Sequence, residues 1–163
     1  MGKWKPNDYF KEIAIHHILL QHTEAKPAFF REFSSSRILI DNSDFLLKMR
    51  KSGDNILVSI FNGEKRYAED IDNNTRINTG SILLLKKVKD ITGVDAAREE
   101  LDGIWEDINA KIKQDIRTSA IQLFGYSAQA VPIGMIGDSY FGLAFFISYA
   151  DVYCHFPNTA RWI

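Results

Sequence analysis

The stretch VDAAREELDGIWEDINAKIKQDIRT, residues 94–118, decides how this chain is read. Val94, Ala97, Leu101, Ile104, Ile108, Ile112 and Ile116 recur every three or four residues, which places one apolar stripe along one long helix. Its charges are sorted: Asp95, Glu99, Glu100, Asp102, Glu106 and Asp107 come early, Lys111, Lys113 and Arg117 late. That order complements the helix dipole. Arg98 with Asp102 and Asp107 with Lys111 are pairs four apart, each worth roughly 0.2–0.5 kcal/mol. Thr92 or Asp95 is the expected start. The segments on either side read mostly as strands, so the helix is expected to lie across a sheet and close its core.

Working outward toward the N-terminus, Gly80 to Val88 predicts a strand in which Ile82, Leu83, Leu84 and Leu85 touch neighbours on both faces. Asp72 to Thr79, DNNTRINT, predicts an exposed polar loop. Asn55 to Phe61 predicts a strand, and Asn62-Gly63 a tight hairpin turn into a return strand from Glu64 to Ile71. Ser43 predicts the cap of a two-turn helix closing at left-handed Gly53, with Phe45, Leu46 and Met49 inward. Arg37 to Ile40 suits a short strand, and Phe29, Phe30 and Phe33 have no assigned structure. Asn7 or Asp8 predicts the cap of a first helix reaching about Gln21, with Phe10, Ile13, His17 and Leu20 on one face. On the other side of the long helix, Gly125 predicts a stop. Ala128 to Ile136 and Tyr140 to Ala150 predict a second hairpin turning at Gly137, Asp138 and Ser139, before an irregular tail from Asp151. The order predicts a single α+β domain, 1–163: a mixed or antiparallel sheet of about five strands, a long helix across it and a shorter N-terminal helix.

With 163 residues, 45% of them hydrophobic, the chain has enough apolar surface for one real core. A formal net charge of -1 provides no global field toward nucleic acid or an anionic membrane. One cysteine, Cys154, excludes an internal disulfide and a multi-thiolate zinc site, and fits a reducing cytoplasm. The start of the chain lacks an apolar core of signal-peptide length, and the longest apolar run, Tyr140 to Ala150, is too short to span a bilayer.

Residue sets that could carry chemistry each have a plainer reading. Glu12, His16, His17 and His22 lack metal-ligand spacing, since adjacent histidines point about 100 degrees apart on a helix, and a solvated helix end explains them. Cys154 and His155 are chain neighbours that point to opposite sides of an extended segment. The glycines at 134, 137 and 142 fit no phosphate loop. Asp95, Glu99, Asp102 and Glu106 fall on one helical face, which reads as a solvated or subunit-binding face and not as paired catalytic acids. Lys48, Arg50, Lys51, Lys65, Arg66, Lys86, Lys87 and Lys89 come from separate elements; converged, they would meet phosphate backbone by charge alone. No catalytic signature, metal or cofactor site is expected.

From Val131 the text runs VPIGMIGDSYFGLAFFISYADVYCHFPNTARW. It resembles the C-terminal end of small tail or neck proteins of phages and prophages, where an aromatic-Gly strand leads to a short turn and a Lys/Arg-Trp pair. Tyr140, Gly142, Phe145, Pro157, Arg161 and Trp162 match that pattern, and Cys154-His155 and Phe156 depart from it. The N-terminal helix, the DNNTR segment and the strand near Thr79-Gly80 are similar more loosely. The element order is similar to that of phage tail-terminator proteins, whose small α+β subunits form a ring at the head-proximal end of the tail tube. The resemblance implies a non-enzymatic virion subunit at the tail end or head-tail joint, made in the bacterial cytoplasm and carried in the virion. Its expected partners are copies of itself and other virion proteins, with DNA contact secondary and no membrane. Asp95, Glu99, Asp102, Glu106, Phe156 and Trp162 are the expected interface. The alternative is a soluble protein-binding module of the immunity or regulatory kind.

Overall fold

The computed structural model describes residues 4–32, 43–63, 65–67, 75–136 and 139–152. In chain order they form α1 (Pro6–His16), β1 (Phe29–Arg31), α2 (Ser43–Met49), β2 (Asn55–Ile60), β3 (Lys65–Tyr67) and β4 (Thr75–Lys87). A 3-10 turn (Ile91–Gly93), α3 (Val94–Arg117), β5 (Phe124–Ile136) and β6 (Tyr140–Val152) follow. All the strands join one mixed sheet in the order β1-β2-β4-β6-β5, with β3 also on β4. Among the described strands only β1 and β2 pair in parallel; the other pairings are antiparallel. The fold is α+β: the long helix lies across the sheet, as its apolar stripe implies, and the N-terminal helix packs on the same face.

Strand alternation sends side chains to two cores. On the first face Leu57, Ile82, Leu84, Leu143, Phe145 and Ile147 pack with Phe10 and Ala14 of α1 and with Ala97, Leu101, Ile104, Ile108 and Ile112 of α3. On the second, Ile56, Val58, Ile60, Leu83, Leu85 and Ala144 pack with Phe45 and Met49 of α2. The run Ile82 to Leu85 therefore serves both layers, and all four side chains are fully buried. Trp105 pins α3 to the sheet by stacking on Phe145, centroids 4.0 Å apart.

Several expectations are corrected. Asn62-Gly63 does not make a hairpin between β2 and β3: both strands lie along the same side of β4, β2 at Ser81–Lys86 and β3 at Arg76–Asn78. They run in the same direction, so the turn, with Gly63 at φ 77, is a jog between two parts of one lane. β4 begins at Thr75, so the second half of the expected polar loop is strand; Asn78 is buried there and pairs with β6. α1 stops at His16, its cap is Lys5 with no side-chain bond, and Pro6 sits at N1, where a missing N–H costs nothing. His17 turns extended and Leu20 reaches the core from a loop.

The helix ends also differ. α2 ends at Met49 and Gly53 is not left-handed; its N–H donates to Pro27 O instead. After α3 the left-handed residue is Ser119 (φ 58), while Gly125 (φ 56) lies beside a bulge in β5. α3 begins at Val94, between the two expected starts Thr92 and Asp95; Asp90 caps the 3-10 turn before it, and Gly93 leads into the helix. Phe29 and Phe30 are strand β1, and β6 continues through Asp151 and Val152. The expected strand at Arg37–Ile40, the turn residues Gly137 and Asp138, and the tail with Cys154, His155, Phe156 and Trp162 lie outside the described residues.

Candidate functional site

Two helices lying side by side leave a groove of about 370 Å³ lined by Tyr9, Glu12, Ile13, His16, His17, Asp107, Ile108, Lys111 and Asp115. Asp115 is only 7% exposed, an unusual place for a carboxylate. It is held from both sides: the Tyr9 hydroxyl donates to Oδ2 at 2.7 Å and Lys111 Nζ to Oδ1 at 2.5 Å. Burial, then the hydrogen bond to Asp115, raises the Tyr9 phenol well above its ordinary pKa, so it stays protonated and donating. At the mouth His17 Nε2 lies 3.3 Å from Asp107 Oδ2. These groups satisfy one another across the helix pair, and they lock α1 onto α3. The expected partner of Asp107, Lys111, goes to Asp115, one turn further on.

A second cross-link sits at the start of α3. Glu100 Oε1 accepts from Asn55 Nδ2 on β2 at 2.6 Å and from Lys86 Nζ on β4 at 3.0 Å. Burial works to raise this carboxyl, and the two hydrogen bonds more than offset it, holding it below the usual value. Tyr126 performs the same bridging from β5, donating to Asn109 Oδ1 at 3.1 Å; burial pushes its phenol up to about 12.

The acidic residues Asp95, Glu99, Asp102 and Glu106 all lie exposed on one ridge of α3, about 16 Å long at roughly 1.5 Å per residue. Asp102 is 3.9 Å from Arg98; the other three make no ion pair among the described residues. The basic set splits. Arg50 and Lys51 follow α2 into the loop whose Asp54 carbonyl accepts the Lys87 N–H, so they share an end of the sheet with Lys86, Lys87 and Lys89. Arg50, Lys51, Lys87 and Lys89 are exposed and unpaired among the described residues, Lys86 is tied to Glu100, and Lys48 is tied to Glu32 at 3.3 Å. Lys65 and Arg66 stand at Asn78 and Ile77 of β4, about 26 Å from Lys86 at roughly 3.3 Å per residue. They do not join the others.

The histidines are explained by local bonds. His16 is exposed against Glu12, and His22 Nδ1 accepts the N–H groups of Ala28 at 3.1 Å and Phe29 at 3.3 Å. Among the described residues no three His, Cys, Asp or Glu side chains form a metal-holding group, and no helix is long and apolar enough to cross a membrane. Sequence reasoning missed Tyr9, Asp115, Asn55 and Glu100, whose contacts join elements far apart in the chain. An aspartate on the line continued by Ile108 and Ile112 was the one available signal. It missed also the exposed apolar side chains on the second face, Ile77, Phe124 (56%), Val131 and Phe146 (45%).

What fold and surfaces define is an α+β protein with one mixed sheet, internally tied polar groups, and charge and apolar surface facing outward. No protein-family model matches the chain, and no curated protein matches it in sequence.

Proposed function

We propose that this chain is a non-enzymatic assembly subunit of a phage or prophage virion, at the tail end or head-tail joint, whose copies close into a ring. The observation that carries the reading is the pairing state of its surface charge: an exposed acidic ridge on a rigid helix, and an exposed, unpaired basic corner at Arg50, Lys51, Lys87 and Lys89. Surfaces of opposite sign on one subunit attract head to tail, and a head-to-tail contact whose rotation closes makes a ring. The polar groups of the groove between α1 and α3 are spent on each other, which suits a rigid block. The resemblance at Tyr140, Gly142 and Phe145 supports the virion context. A Cβ at Gly142 would come within 2.9 Å of Leu85 Cδ2 and 3.0 Å of Ile136 Cδ1, so close packing favours the glycine of that pattern.

Affinity purification of the tagged chain from cells producing the virion tests the reading, together with sedimentation and negative-stain imaging of the pure protein. Tail or connector proteins in the eluate and closed rings are expected. Glu99→Lys should abolish ring formation, and Lys87→Glu in the same chain should restore it. A monomer under every condition, with no virion protein recovered, would overturn the proposal. Recovery of a single non-structural protein at one-to-one ratio would replace it with the binding-module reading.

A further inference from the structure

The two margins of the sheet are built differently. β1 is three residues long and ends on exposed Arg31, with the Glu32–Lys48 ion pair beside it. Shortness and charge are how monomeric proteins blunt a sheet edge. β5, at the other margin, has 13 residues and no Asp, Glu, Lys, Arg or His from Phe124 to Ile136. No strand among the described residues pairs with it on the side away from β6.

Its middle is also bare above and below among the described residues, whereas Tyr126 at one end reaches α3 and Ile133 and Ile136 at the other join the second core. α3 packs on β4 and β6, and α2 on the second face nearer β2, so Ser127 through Pro132 are exposed without a break, whichever face each residue points to. The register with β6 is regular over this stretch, Ser127 opposite Ser148 through Pro132 opposite Leu143, and is bounded by irregularities on both sides. Those irregularities and Pro132, which has no N–H, limit the open edge to Ser127–Val131.

We infer that Ser127–Val131 pairs antiparallel with the same segment of a second copy, about a two-fold axis at Gln129, fusing two sheets into one. A second copy is the occupant the chemistry selects. An edge without charge cannot attract a strand by complementary sign, but it can meet itself with no like-charge repulsion. About the axis, Gln129 faces its own counterpart, Ala128 faces Ala130, and Ser127 faces Val131; all are small or uncharged. On the second face Phe146, directly beside Gln129 on β6, and Val131 then continue across the axis as one apolar strip. Two five-residue edges bury less than the roughly 800 Å² per partner of a standard interface, so the expected dimer is weak and concentration-dependent. This contact goes beyond the ring reading and stands without it, because it joins like surfaces and uses none of the charged residues.

Sedimentation equilibrium on the full chain tests it, with far-UV circular dichroism to establish that each variant is folded. The wild type should associate, and its Glu99→Lys variant, which lacks the ring contact, should show a monomer–dimer equilibrium. Gln129→Lys and Gln129→Glu should each weaken it about tenfold or more, and an equimolar mixture of the two should restore dimer. Only a residue that meets its own counterpart gives that rescue. A monomeric wild type, a Gln129→Lys chain that dimerises as before, or a mixture that stays monomeric overturns the inference. The charge-based ring is untouched by substitutions at Gln129 and is lost with Glu99→Lys, so the two failures are separable.

Discussion

Gly80 sits where a methyl group has no room. A Cβ there would collide with Cδ1 on the ring edge of Phe61, which is buried and stacked on Phe10 at 5.7 Å. Gly80→Ala should therefore cost about 1–3 kcal/mol in urea denaturation. Adding Phe61→Leu should recover part of that loss, making the double variant more stable than the sum of the two singles. At His22, burial first and Lys11 second hold the imidazole below its ordinary 6.5, and Nδ1 must be unprotonated to accept two backbone N–H groups. The unfolded chain then binds the proton more readily than the folded one, so this contribution is complete above pH 6.5 and is lost as pH falls through the lower folded value. Urea midpoints measured from pH 7.5 downward should decline over that window, and His22→Gln should flatten the decline. The sequence showed a histidine after a helix; it could not show that the chain would curl to bring two N–H groups to the ring. Asp115 was equally hidden, since its partner Tyr9 lies 106 positions away.

Among the elements, α3 was legible because a single-sided helix repeats its environment every three or four residues. Its buried stripe is the one the spacing implies: Ala97, Leu101, Ile104, Ile108 and Ile112. Ile104→Ala should cost about 2–5 kcal/mol by thermal or urea melts, whereas Glu106→Ala, on the solvated side of the same helix, should stay within about 0.5 kcal/mol. The lane formed by β2 and β3 is hidden in the sequence because turn chemistry reports local φ only. Asn-Gly permits a hairpin, but whether the chain reverses or merely steps sideways depends on which strand claims the edge, and here β4 claims both segments. β1 is illegible for a related reason: three residues carry too little period to read, and their strand character comes from pairing with β2. Helix ends were the least readable feature: no left-handed residue is found at the end of α2 among the described residues, and after α3 that position falls on Ser119, ahead of Gly125.

For the whole molecule, the two proposed contacts differ in how they respond to ions. The acidic ridge and basic corner are exposed, so their attraction fades once charges are separated by more than a Debye length, roughly 10 Å at 0.1 M salt and 3 Å at 1 M. The β5 pairing is made of backbone hydrogen bonds and apolar side chains and should survive. Sedimentation velocity through a salt series should accordingly show higher assemblies dissolving to a concentration-dependent monomer–dimer equilibrium and not to monomers alone. What the sequence supplied at this scale was the α+β class and the two hairpin strands near the end. The uneven coverage of the sheet, which leaves the middle of β5 uncovered among the described residues, depends on where helices settle across strands and has no linear signature.

β4 occupies the middle of the sheet, yet its partners are born at very different times. β2 precedes it by some twenty residues, while Phe145, the partner of Ile82 on the other side, follows by about sixty. At a synthesis rate of roughly 5–20 residues per second, the Ile82–Leu85 run waits several seconds on the ribosome with one flank uncovered. That interval is the opening in which a nascent-chain chaperone would hold this protein, and in which overproduction without one would send it into inclusion bodies.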